Sequence, residues 1–164
     1  MIRGLHHNAY RCRDSEETRQ FYEEFLGLPL VNAFPIRETK SGRETHVLHS
    51  FYEMDDGSYL AFFEVPGEAP ESAFDFKEQH DYDLHIALEV DRAMLEPMIA
   101  KATAAGISVR GIADHTSIDS IYFRDPNGYV IELTAKRPDH DAQLTAAKAV
   151  ARTNLDAFQR DKPR

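Results

Sequence analysis

Apolar and polar residues alternate along much of this chain, and two stretches break that alternation with helical spacing. From Asp83 to Val90, Leu84, Ile86, Leu88 and Val90 fall on one side and Asp83, His85, Ala87 and Glu89 on the other. That period of two predicts a strand with one packed face. GYVIEL sets Ile131 and Leu133 opposite Val130, Glu132 and Thr134, and YLAFFEV sets Phe63 and Val65 opposite Phe62 and Glu64. In GLHHNAYRC, Leu5, His7 and Ala9 share a side and His6 takes the reverse. The helical stretches are Asp14 to Gly27, with Phe21, Tyr22, Phe25 and Leu26, and Asp91 to Gly106, with Met94, Leu95, Met98, Ile99 and Ala102. Each has an acidic start and a glycine stop, the signature of an amphipathic helix.

The order of elements repeats, so each half reads as strand, helix, then further strands. Each half also carries a histidine in its first strand and a glutamate in a later one: His7 with Glu64, and His85 with Glu132. An imidazole or carboxylate in an apolar strand costs several kcal/mol, roughly, unless it is hydrogen-bonded, paired or metal-bound. One divalent metal would account for all four. The pattern predicts a sheet packed against helices on one face and concave on the other, with His7, Glu64, His85 and Glu132 lining the concavity.

The chain has 164 residues and is 42% hydrophobic, which suits one domain over residues 1–136 with a real core. Its modules cover about 1–67 and 81–136. Residues 66–82 are rich in Pro, Gly and charge, which places a linker at 68–80. RDPNG at Arg124 to Gly128 predicts a tight turn before the Glu132 strand. Residues 137–164 form a helical tail with Leu144, Ala147, Ala151, Leu155 and Phe158 on one stripe, fit to cover this domain or a second copy. The net charge of −9, without a Lys/Arg cluster, argues against nucleic acid and anionic membranes, leaving a small molecule or another protein as partner. No apolar run is long enough to span a bilayer and no signal-peptide core is present, so a cytoplasmic protein is expected. The single cysteine, Cys12, is expected to be a buried structural thiol. His46, His49, His80 and His140 fall in polar or loop contexts and are expected to be solvated. His6 is expected to face away from His7.

GLHHNAYRCRD…FYEEFLGL, DLHIALEV and SIYFRDPNGYVIEL occur in the order found in the vicinal oxygen chelate superfamily, and the chain resembles that family over residues 4–134. The family includes glyoxalase I, extradiol ring-cleaving dioxygenases, fosfomycin-resistance proteins and methylmalonyl-CoA epimerase. The resemblance implies an α+β fold of two βαβββ modules forming a cup-shaped mixed sheet around one divalent metal, followed here by the C-terminal helix. It carries His7, His85 and Glu132 over as metal ligands, with Glu64 where some members supply a fourth. A homodimer is expected for this chain.

Two reactions compete under that resemblance. A ring-cleaving dioxygenase would use Fe(II) or Mn(II), held by two imidazoles and a carboxylate, with open positions for a catechol-like substrate and O₂. Tyr122 and His115 resemble the residues that bind substrate in such enzymes, and Phe51, Tyr59, Phe62 and Tyr122 suit a flat ring. Where those enzymes place an acid/base histidine, however, this chain has Asp56, Gly57 and Ser58. A glyoxalase- or epimerase-type lyase or isomerase would use Ni(II), Co(II) or Zn(II) to polarise a carbonyl and stabilise an enediolate, with Glu64 moving the proton. Arg11 resembles a glutathione-binding position, but Asp81, Asp83 and the segment from Asp114 to Ser120 stand where that family has basic residues. Lactoylglutathione itself is thereby disfavoured. A non-catalytic small-molecule binding protein is the third reading.

Overall fold

The computed structural model describes residues 2–67 and 84–162, and the expected linker at 68–80 lies outside them. Two compact units emerge. The first comprises Met1–Leu84 with Arg124–Tyr129, and the second His85–Phe123 with Val130–Arg164.

In the first unit, β1 (His7–Cys12), β2 (Leu30–Glu38), β3 (Glu44–Glu53) and β4 (Tyr59–Glu64) form a sheet in the order β1-β4-β3-β2. β1 and β4 run parallel with His7 opposite Tyr59, Ala9 opposite Ala61 and Arg11 opposite Phe63. β3 continues antiparallel, with Phe51 opposite Ala61 and His49 opposite Phe63. Side chains in register share a face and alternate along each strand. One face therefore carries Tyr10, Cys12, Ser50, Tyr52, Leu60, Phe62 and Glu64, and the other His7, Arg11, His49, Phe51 and Phe63.

The first of those faces is covered by the helix. Asp14 caps α1 (Ser15–Arg19) by accepting hydrogen bonds from the amides of Glu16 and Glu17, as its acidic start predicts. The helix then loosens into a π-helical turn over Gln20–Phe25, and Gly27 ends it at φ +86°, a backbone state that suits glycine. Tyr22 packs on Tyr52 and Phe62, and all three are fully buried together with Leu60. The turn Arg124–Tyr129, which lies within the second module in sequence, groups with this unit. Asp125 Oδ2 accepts from the Tyr22 hydroxyl at 3.0 Å and from Asn127 Nδ2 at 3.0 Å, and Oδ1 accepts from the Tyr129 amide at 2.8 Å. Asn127 Oδ1 in turn accepts from the Arg13 amide. Burial pushes the Asp125 carboxyl above its ordinary pKa, against the pull of these donors.

The second unit repeats the plan. Its strands β5 (His85–Glu89), β6 (Arg110–Asp114), β7 (Ile118–Arg124) and β8 (Val130–Lys136) are ordered β5-β8-β7-β6. β5 lies parallel to β8, with His85 opposite Val130 and Ala87 opposite Glu132. A 3₁₀ turn over Arg92–Met94 leads into α2 (Leu95–Ala104), and Gly106 ends it at φ +72°. Leu95, Met98 and Ala102 are buried, as the spacing predicts, whereas Met94 is exposed because the 3₁₀ turn rotates it off the stripe. The tail forms α3 (His140–Asp161), and none of its residues is buried.

This packing can be tested at both ends of the chain's energetics. Asp125→Ala leaves the Tyr22 hydroxyl, Asn127 and the Tyr129 amide without their acceptor, so urea unfolding should show a loss of about 2–4 kcal/mol. Removing residues 142–164 deletes no side chain that is buried among the described residues, so the calorimetric unfolding midpoint should stay within roughly a few degrees of the full chain's. A halving of particle mass in light scattering of that shortened chain would show that α3 joins two copies.

Candidate functional site

Four of the expected site residues meet in the second unit. Glu132 sits on β8 with only 6% of its surface exposed, so its carboxylate needs partners on both oxygens. Oε2 lies 3.2 Å from His85 Nε2, and Oε1 accepts a hydrogen bond from the Tyr122 hydroxyl at 2.8 Å. That phenol has a single hydrogen and gives it to Glu132. The 2.7 Å contact between His115 Nε2 and the Tyr122 oxygen must therefore be a donation from His115. The result is a continuous chain from His115 through Tyr122 and Glu132 to His85.

The strands explain why these residues meet. His85 and Glu132 share a face because Glu132 is in register with Ala87, two residues beyond His85. Tyr122 reaches Glu132 from β7, and His115 follows β6 in a loop held by its own amide to the Ile118 carbonyl. Tyr122 is buried, and burial together with the Glu132 carboxylate pushes its phenol up to about 12. Tyr122 therefore stays protonated at neutral pH and acts as a donor. Arg110, opposite Tyr122 across β6 and β7, places its guanidinium 4.1 Å from the centre of the Tyr122 ring.

In the first unit the expected grouping of His7 with Glu64 does not form. The β1–β4 register puts the two on opposite faces of the sheet. Glu64 faces the helix, where its Oε2 accepts from the Ser15 amide at 2.8 Å at the start of α1. The structural counterpart of Glu132 is Ala61, which pairs with Ala9 as Glu132 pairs with Ala87. His7 is exposed, and its Nδ1 lies 2.8 Å from His6 Nδ1, so His6 turns towards His7 rather than away from it. His6 precedes β1, which begins at His7, and so is free of strand alternation.

His49 is the residue that sequence reasoning missed. It is buried rather than solvated, with Nδ1 at 3.0 Å from the Phe62 carbonyl and its ring stacked on Phe63 at 3.6 Å. Desolvation lowers its pKa below the ordinary value. Its place in THVLHSFYE, in phase with the aromatic Phe51, was the available signal. His46 is exposed as expected, and His140 pairs with Asp141. His80 lies outside the described residues, as do Asp81 and Asp83. Cys12 is buried, and burial pushes its thiol up to about 11, which suits a structural role.

His85 and Glu132 already bring a nitrogen and an oxygen donor together, a set that fits a divalent first-row metal. His7 belongs to the first unit. Among the described residues, no group of three or more His, Cys, Asp or Glu is gathered closely enough to hold an ion. No described helix is long and apolar enough to cross a membrane.

Comparison with known proteins places this geometry in a family. The metallothiol transferase FosB of Shouchella clausii is 26% identical over 137 residues, covering 81% of this chain and 80% of that protein. The putative ring-cleaving dioxygenase MhqA of Bacillus subtilis is 27% identical over 138 residues, and the match spans 82% of this chain but only 40% of MhqA. Among solved structures, a mutant of the fosfomycin resistance protein FosX of Listeria monocytogenes, complexed with Mn(II) and 1S,2S-dihydroxypropylphosphonic acid, is 19% identical. It matches with a TM-score of 0.61, covering 87% of this chain and 99% of FosX, and so shares the fold. A family model matches residues 4–133, and the chain belongs to the Glyoxalase/Bleomycin resistance protein/Dioxygenase superfamily, the vicinal oxygen chelate fold.

Proposed function

We propose that this protein is a divalent-metal enzyme acting on a small molecule, with His7, His85 and Glu132 as ligands and a ring-cleaving oxygenase reaction on a catechol-type substrate. The observation that carries the proposal is the hydrogen-bonded chain from His115 through the buried Tyr122 and Glu132 to His85, whose two ends are exposed. A carboxylate buried in a strand and oriented by a phenol is how a metal ligand is held in place by its neighbours. Mn(II) in FosX and the dioxygenase name of MhqA support Fe(II) or Mn(II). The metal would supply Lewis acidity and open coordination positions for substrate oxygen.

The protein's own contribution is orientation. Tyr122 fixes one Glu132 oxygen and leaves the other towards His85, while His115 fixes the Tyr122 hydroxyl. Arg110 covers one face of the Tyr122 ring. The position of Glu64 weighs against the isomerase alternative. A proton carrier must reach the reacting carbon, and Glu64 instead caps the Ser15 amide on the helix-covered face.

A second reading follows from the metallothiol transferase FosB and the fosfomycin resistance protein FosX: metal-dependent thiol transfer to fosfomycin. The positive charge that Arg110 sets beside Tyr122 favours an anionic substrate of that kind. The same protein preparation separates the two. Fe(II)-loaded enzyme should consume O₂ with catechol and leave fosfomycin unchanged in the presence of thiol; the reverse result would replace the first reading with the second.

Variants test the roles. His85→Ala should abolish tight metal binding, read by elemental analysis after gel filtration. Tyr122→Phe should lower metal affinity or turnover by roughly 10–100-fold, the usual effect of removing a ligand's hydrogen-bond partner. Glu64→Gln should leave catechol turnover substantial. If Glu64 were the proton carrier, the same change would cost about two to four orders of magnitude.

A further inference from the structure

We propose that the His49 face of the first sheet is a binding subsite for a flat hydroxylated aromatic ring, in which His49 Nε2 accepts a hydrogen bond from a ring hydroxyl. This deepens the oxygenase reading above and rests on it for the substrate's passage to the metal. The argument for ring binding is local to the first unit.

The tautomer of His49 is fixed by its surroundings. Nδ1 lies 3.0 Å from the Phe62 carbonyl, and a carbonyl oxygen only accepts, so the ring hydrogen is on Nδ1. Nε2 is then a lone-pair acceptor on the other side of the ring, directed away from the β4 backbone. Among the described residues it has no hydrogen-bond partner. Nε2 is not sealed from solvent, so a ligand hydroxyl can take the place of water on an acceptor set among aromatic rings.

The neighbours define what the ligand must look like. His49 stacks on Phe63 with ring planes 12° apart, and Phe51 lies 4.3 Å from it between centroids. Phe34, 39% exposed on the neighbouring strand, stands 5.4 Å from His49 and stacks on Phe51 at 6.1 Å. His7 completes the row at 5.6 Å from Phe51. These rings share the face opposite the helix. Their π surfaces favour a planar aromatic body over an aliphatic or strongly charged one, and the row leads from an exposed edge to the expected ligand His7.

Calorimetric titration of the full-length protein with catechol and with 1,2-dimethoxybenzene tests this, because methylation keeps the ring and removes the donor hydrogens. Wild type should prefer catechol by about tenfold, the scale of one well-made hydrogen bond. His49→Phe keeps a flat ring and removes the acceptor, so the preference should vanish while dimethoxybenzene binding stays within about twofold. His49→Gln, which offers both an amide donor for the Phe62 carbonyl and an oxygen acceptor, should restore part of the preference. Phe51→Ala should weaken both ligands together. An unchanged preference in His49→Phe overturns the subsite, as does absence of binding of both rings to wild type. If circular dichroism shows that His49→Phe does not fold, the His49→Gln and Phe51→Ala titrations decide in the same way. A His49-dependent preference without O₂ consumption would overturn the oxygenase reading alone; O₂ consumption with a catechol KM unaffected by His49→Phe would overturn the subsite alone.

Discussion

Parallel pairing of the first and last strands of each module is the constraint on which the rest of this structure depends. In a parallel pair the register fixes which residues stand side by side on one face, and a shift of one residue would send every side chain to the other face. In the second unit that register sets Glu132 beside Ala87, two residues on from His85, and a carboxylate and an imidazole meet. In the first unit the equivalent register sets Ala61 beside Ala9. The repeated fold therefore delivers a histidine–carboxylate pair in one half, whereas in the other the position equivalent to Glu132 is Ala61.

Burying Glu132 then dictates its surroundings. A carboxylate with little solvent contact must be matched by donors, and His85 and Tyr122 are those partners. Tyr122 serves because its phenol, pushed up by burial and by the carboxylate itself, holds its proton and can only donate in that direction. Asp125 shows the same logic without chemistry. Its carboxylate is surrounded by Tyr22, Asn127 and the Tyr129 amide, and it ties the turn before β8 to the helix of the first unit. Glu132 is legible as a costly residue in an apolar run and Asp125 only as part of a turn, and Glu132 sits beside a histidine that could share a metal.

Hydrophobic alternation in the sequence was sufficient for the elements themselves. α1 begins at its acidic end, α2 follows a 3₁₀ turn after Asp91, and the two stop at Gly27 and Gly106, while β5 and β8 show the period of two that places His85 and Glu132 away from the packed side. The RDPNG turn forms as its residues require, with Asp125 accepting from the backbone of Tyr129. These features are local. Each depends on neighbours within a few residues, so each is written in the chain.

The fate of Glu64 and His49 was not local. Alternation says that Glu64 shares a side with Phe62 and that His7 shares one with Ala9, but it does not say which side of one strand matches which side of the other. That match is made by the β1–β4 register, and it turns Glu64 towards the helix, where the Ser15 amide takes its carboxylate. His49 lies in a run with polar neighbours, yet pairing with Phe63 and the carbonyl of Phe62 buries it among rings. The sequence by itself determined the strands, helices, turn and family, because these follow from short-range periodicity and composition. Which polar side chains face each other was decided only in the tertiary structure, because strand pairing joins residues far apart in the chain and a displacement of one residue reverses every face.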